Sequence, residues 1–212
     1  MTFRKLVYDT LEFNNKTGRV PRQMWTLPWA QNHHSRMLAK IYTDFPEDLA
    51  VLHTVYKEYP KTSGDQYKIG TFVDEWGCVF TNVADGVIGE VKNPLVVEDD
   101  WSDYEKVHIP YELLSFDTDQ VNEACKNQKF NYTPIFPRPF EQLQFIRGTQ
   151  NLYMDLLDPP SNMLKFISKM HTFYCELLEK WAKTNVDALF FMDDWGSQRS
   201  LLINPSLWRE YF

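Results

Sequence analysis

Residues 186 to 197, from Val186 through Asp187 to Ser197, constrain this chain more than any other stretch. The apolar run Ala188 to Met192 lacks the alternation of a half-exposed strand and reads as a strand buried on both faces, as in a parallel sheet. Two acids, Asp193 and Asp194, end it. In α/β folds, and above all in (β/α)8 barrels, ligands and catalytic groups gather at the carboxyl ends of strands. The acidic pair is therefore the first candidate for chemistry. The competing structural reading has Asp194 starting a turn and Asp193 pairing with a buried Arg.

The segment before that strand supports a helix. Met163, Ile167, Met170, Tyr174, Leu177 and Trp181 recur at alternating steps of four and three, with Ser161 as N-cap after Pro159-Pro160 and Asn185 as exit. Such a stripe is core, and His171 within it reads as exposed or structural. A new helix starts at Asn204-Pro205, so helix, buried strand, acidic loop and helix together spell an α/β repeat. Upstream, Phe3, Leu6, Val7, Thr10 and Leu11 predict an amphipathic helix over 2 to 15, ended by Gly18. A first strand is expected over 20 to 27, then a loop at Pro28 to His34, whose adjacent His33 and His34 cannot share a metal from a regular element. Residues 44 to 59 fit either a helix start or a short buried strand. Residues 67 to 97 read as an inserted β-hairpin turning at Asp85-Gly86. Glu98 to Asp103 reads as a solvated loop entering a short helix, and Phe130 to Phe136 as a further strand, broken by Pro137-Arg138-Pro139.

Composition narrows the function classes. With 212 residues and 43% hydrophobic content the chain builds a sizeable core. A net charge of −7, from 22 basic and 29 acidic residues, leaves no basic stripe for nucleic acid. Cys78, Cys125 and Cys175 lie far apart, with no CxxC and no Cys/His pair at metal-ligand spacing, so free thiols in a reducing cytoplasm are expected and no metal ligand is assigned. No stretch has the length of a signal peptide core or a membrane span, which predicts a cytoplasmic protein with no membrane partner.

Four segments, in order, resemble the uroporphyrinogen decarboxylase superfamily, which includes the haem-pathway decarboxylase and corrinoid-linked methyltransferases. They are Val20-Pro21 to Trp25; Val73-Asp74-Glu75-Trp76-Gly77-Cys78 with Gly89-Glu90-Val91; Pro139-Phe140-Glu141 to Arg147-Gly148; and Asp187 to Phe212. The last is most similar to the methyltransferase-like branch, through Asp193-Asp194-Trp195-Gly196-Ser197-Gln198 and Ile203 to Arg209. The resemblance implies the first half of a (β/α)8 TIM-type barrel over residues 1 to 212, with an N-terminal helix and the hairpin inserted at about 67 to 97. The barrel's C-terminal half would then be absent, leaving a partial domain. It implies methyl transfer involving a corrinoid protein. In that reading Asp193 and Asp194 are catalytic, Arg138 and Gln198 orient a small-molecule or tetrapyrrole ligand, and Trp25 and Phe136 wall its pocket. Zinc and a corrinoid partner would belong to the full-length methyltransferase, its zinc ligands lying in the missing half; none is expected on this fragment. Two alternatives stand beside it. One is uroporphyrinogen decarboxylation, against which Leu27 to Asn32 lacks the Arg-rich loop suited to carboxylates and Phe145 replaces the usual Tyr. The other is a non-catalytic half-barrel that binds a ligand, a second copy or a second polypeptide.

Overall fold

A computed structural model describes residues 1–135 and 137–212. The chain mixes helices with short strands in two small sheets, one parallel and one antiparallel, and the described residues form no closed barrel. In the parallel sheet β1 (Leu49–Val51) pairs with β5 (Phe130–Tyr132) in the register Leu49 to Phe130 and Val51 to Tyr132. On the other side of β5, Tyr132 bridges to Ala188, also parallel. The three segments therefore lie side by side in chain order.

Helix α1 (Phe3–Leu11) is capped by Thr2, whose side chain accepts the Lys5 N–H, and it turns Leu6 and Val7 inward. Residues 20 to 27, expected as the first strand, form none. They are tied to residues 47 and 48: the Asp48 N–H donates to the Arg22 carbonyl at 2.9 Å, while the Met24 N–H is taken by the Glu47 carboxylate at 2.9 Å. Pro21 offers no donor, and a side chain occupies the Met24 one, so no backbone ladder propagates. The expected loop at 28 to 34 is instead the start of α2 (Pro28–Asp44), with Pro28 in its first turn, where a missing N–H costs nothing, and a kink at His34. Of the two readings of 44 to 59, a strand forms, but it is only partly buried, with Val51 exposed.

The hairpin region is a three-stranded antiparallel sheet of β2 (Gly70–Val73), β3 (Val79–Asn82) and β4 (Glu90–Val91). The chain reverses twice: tightly at Asp74 to Gly77 between β2 and β3, and again between β3 and β4 through a longer loop that holds the expected turn at Asp85-Gly86. Gly86 also meets α2. Its carbonyl accepts the Trp29 N–H at 3.2 Å, and a Cβ there would stand 2.5 Å from the Trp29 backbone. The loop between β3 and β4 thus docks the start of α2, and glycine is required by both contact and a φ of 82°.

Helices α3 (Thr118–Ala124), α4 (Pro139–Arg147), α5 (Thr149–Asp155), α6 (Ser161–Ala182) and α7 (Pro205–Tyr211) complete the fold. The expected stripe of α6 is its buried face. Ser161 is its first helical residue rather than its cap, that position falling to Pro160. Trp76 from the β2–β3 turn packs edge-on against Phe173 at 5.6 Å, seating the hairpin on α6. The stretch 98 to 103 is not simply solvated: Trp101 is fully buried, Asp103 is buried, and the Trp101 indole donates to Asp155 at 2.8 Å. The same carboxylate holds the buried Arg147 at 2.7 Å, so an acidic-looking loop closes over the end of α4. Residues 187 to 192 are not buried on both faces: among the described residues only Ala188 of this stretch bridges to a strand, and Phe191 and Met192 are exposed. No helix among the described residues is long and apolar enough to cross a membrane.

Gly86 can be tested against Gly18, which has φ 70° but nothing within 4 Å of the point an added Cβ would occupy. Gly18→Ala should cost ~1 kcal/mol for left-handed backbone alone. Gly86→Ala should cost at least ~1 kcal/mol more through overlap with Trp29. Equal midpoints in urea denaturation would show that the Gly86–Trp29 contact carries no stability.

Candidate functional site

The acidic loop is positioned by hydrogen bonds from β5. Asp187, its side chain fully shielded, accepts from Arg4 Nε at 2.7 Å, Tyr8 Oη at 2.7 Å and the Asn131 N–H at 2.8 Å. The Thr133 N–H donates to the Ala188 carbonyl at 3.2 Å, and the Phe190 N–H to Thr133 Oγ1 at 3.0 Å. The chain then reaches Asp193 beside the start of α4. There Asp193 Oδ2 takes the Phe140 N–H at 2.9 Å and Oδ1 takes the Glu141 N–H at 2.8 Å. These are orphan donors of a helix whose own N-cap, Arg138, supplies no side-chain bond. A distant carboxylate thus caps α4, favoured by the helix dipole.

Burial pushes the Asp193 carboxyl above its ordinary range, and the N–H groups of Glu141, Phe140 and Asp194, with Arg138, pull against that rise. Because both its oxygens hold backbone, Asp193 is a positioning group. Asp194 is the exposed member of the pair, and among the described residues its carboxylate takes no side-chain hydrogen bond. It lines a 380 Å³ hollow with Glu90, Glu141, Gln144 and Thr149. Trp195 anchors the loop by stacking on Phe140 at 4.6 Å.

The other sequence-predicted residues are dispersed. Arg138 lies near the pair: its guanidinium meets Glu141 at 3.2 Å and sits 5.1 Å over the Phe145 ring. Trp25, 55% exposed, packs edge-on against Phe190 at 5.4 Å and lines a separate hollow with Gln23, Glu47 and Tyr132. Among the described residues, the lining of that hollow includes neither acid. Gln198 is exposed in the turn closed by Ser197 and Ser200. Phe136 lies outside the described residues.

A larger concentration of polar groups lies under the hairpin. A 440 Å³ cleft is lined by Asp74, Glu75, Gln142, Tyr174, Tyr56 and Tyr59 among others, with Arg138 and Met192 at its strand-end side. Asp74 is buried; its Oδ1 accepts the Trp76 N–H at 3.0 Å and the Cys78 N–H at 2.7 Å, and Gln142 Nε2 reaches its Oδ2 at 3.3 Å. Burial, then the Glu75 charge, push its carboxyl up to about 6 against those hydrogen bonds. Burial also raises the Cys78 thiol, with Asp74 and Glu75 adding to it, so Cys78 is a packing residue and not a nucleophile. Tyr174 is raised as well, by burial first. Sequence reasoning assigned no site role to Asp74, Glu75, Gln142 or Tyr174. The available signal was Asp74 followed three places on by Gly77, a turn signature that marks a loop where the hairpin reverses.

Among the described residues no three His, Cys, Asp or Glu side chains gather to hold a metal ion. Compared with protein-family models, curated proteins and solved structures, the chain matches none.

Two outcomes follow from these environments. The folded state holds the Asp74 proton more tightly than the unfolded chain, so stability is fully present below pH ~4 and declines as pH rises through about 6. The ionised carboxyl costs on the order of 3 kcal/mol at neutral pH. Asp74→Asn keeps an oxygen for the Trp76 and Cys78 donors, so its stability relative to the parent should improve between pH ~4 and ~7; a constant difference across that range would refute the assignment. In the acidic pair, Asp193→Ala should cost ~1–2 kcal/mol through the lost cap, whereas Asp194→Ala should stay within ~0.5 kcal/mol. Thermal denaturation of both variants separates the roles, and equal losses would contradict them.

Proposed function

We propose that this chain is the first half of a (β/α)8 barrel of the uroporphyrinogen decarboxylase superfamily, in its corrinoid-linked methyltransferase-like branch. The observation that carries this reading is the chain-ordered parallel array of residues 49–51, 130–132 and 188, with an acidic loop just beyond its last member. Side-by-side parallel segments in chain order are what a barrel wound in one direction requires, and the loop lies where such barrels keep their sites. The run 20 to 27, tied by hydrogen bonds to residues 47 and 48, fits the place of the barrel's opening strand.

In this proposal Asp193 holds the loop against α4, and Asp194 accepts hydrogen bonds from N–H or O–H groups of a tetrapyrrole or of a ligand carried by a corrinoid protein. Arg138, countered by Glu141, orients that ligand from the α4 side. Asp194 suits the role because an ionised carboxylate only accepts, and its exposure keeps it open to a ligand. Zinc and the corrinoid would supply the methyl-transfer chemistry in the complete protein. A second polypeptide or a second copy would cover the exposed Phe191 and Met192, and the setting is cytoplasmic.

The test is calorimetric titration with hydroxocobalamin and, separately, uroporphyrin. Saturable binding of the corrinoid is expected, weakened about tenfold by Asp194→Asn, as befits loss of one charge-assisted hydrogen bond. Binding of uroporphyrin alone would replace the proposal with the decarboxylase reading. Binding of neither would leave a non-catalytic half-barrel.

A further inference from the structure

We infer that the cleft between the hairpin and helices α4 and α6 is a binding site for a small organic cation, an ammonium or amidinium group carried on an apolar ring. The residues of the cleft point to such a ligand independently of the family resemblance.

Its polar walls ask for a donor. Asp74 and Glu75 line it from the β2–β3 turn, and Gln142 lines it from α4. Gln142 is fully buried, yet its Oε1 has no hydrogen-bond partner, while its Nε2 is already directed at Asp74. A buried amide oxygen without a partner costs free energy that a bound N–H would recover. Ionised carboxylates likewise offer only acceptors. A ligand must therefore bring N–H or O–H donors, and an anion would meet two like charges.

One cation, Arg138, already lines the cleft, and Glu141 outside the cleft offsets part of its charge. The Arg138 guanidinium pairs with Glu141 and lies over Phe145, and neither of those residues lines the cleft. The aromatic side chains of Tyr56, Tyr59, Phe72, Trp76 and Tyr174 are part of the remaining lining, beside aliphatic residues and Thr62 and Gln66. Aromatic rings attract a cation electrostatically and accept an apolar body. The 440 Å³ volume falls within the range of small-molecule sites, with room for a single-ring ligand.

The experiment is titration calorimetry of the full 212-residue chain at neutral pH with three probes of one shape: benzamidine, benzyl alcohol and benzoate. Benzamidine should bind saturably at one site, and the neutral and anionic probes at least about tenfold more weakly. Glu75→Gln should weaken benzamidine about fivefold or more, and so should Tyr59→Ala. Glu75 is half-buried and makes no side-chain hydrogen bond among the described residues, and Tyr59 is 66% exposed, so both variants keep the fold, which circular dichroism checks. Absence of benzamidine binding, equal binding of the three probes, preference for benzoate, or unchanged affinity in Glu75→Gln would each overturn the inference. The tetrapyrrole titration reads Asp194 in a different hollow, so either reading can fail without the other.

Discussion

Buried aspartates accepting main-chain N–H groups are the constraint on which this structure depends. The parallel strands are three residues long and give few ladder bonds. What aligns them is a set of carboxylates at their ends. Asp48, fully buried before β1, takes a two-pronged bond from Arg19 at 2.6 and 2.7 Å and the Arg22 N–H at 2.7 Å. Asp187 fastens α1 to β5 and to the last parallel segment, Asp193 fastens the following loop to α4, and Asp74 closes the β2–β3 turn against α4. Hydrogen bonds accepted by an ionised carboxylate are stronger than neutral ones.

These carboxylates differ in how far their partners offset burial. At Asp48 burial raises the carboxyl's pKa, but Arg19 and the Arg22 N–H bring it below the ordinary range, so its stabilisation is lost as pH falls. At Asp193 the donors are backbone groups and burial prevails. At Asp74 burial and Glu75 prevail more strongly, which leaves an under-compensated carboxyl at the wall of the cleft under the hairpin. Strain of this electrostatic kind collects where proteins bind charged ligands. Helix α4 links the two places: its first turn is capped by Asp193, its middle carries Gln142, and its end is anchored by Arg147 on Asp155. A ligand in the cleft and a ligand at Asp194 would therefore act on opposite sides of one short helix.

Much of this was legible in the residues. The α6 stripe identified its buried face because a helix repeats every 3.6 residues and needs no distant information to do so. Asn204-Pro205 marked the start of α7 for the same local reason: the Asn204 side chain accepts the Ser206 N–H. The acidic pair could be located beyond a parallel segment, although that segment forms one bridge rather than a full strand. The division of labour between Asp193 and Asp194 could not be read, since adjacent identical side chains differ only by what lies opposite them.

Other features were decided by the tertiary structure. Pro28 to His34 shows a helix start only if Pro28 is recognised as its first turn, and that start is held by Gly86, far away in sequence. Gly86 itself carries a hairpin signature and also serves a close approach. Trp101 lies in an acidic run, and its burial depends on Asp155 and Arg147 being present to satisfy it. The sequence by itself determined periodic faces, caps and breakers, because these depend on neighbours within a few residues. Which carboxylate binds backbone, which faces a cleft and which stays in water was decided only by folding, because burial and hydrogen-bond partners come from residues distant along the chain.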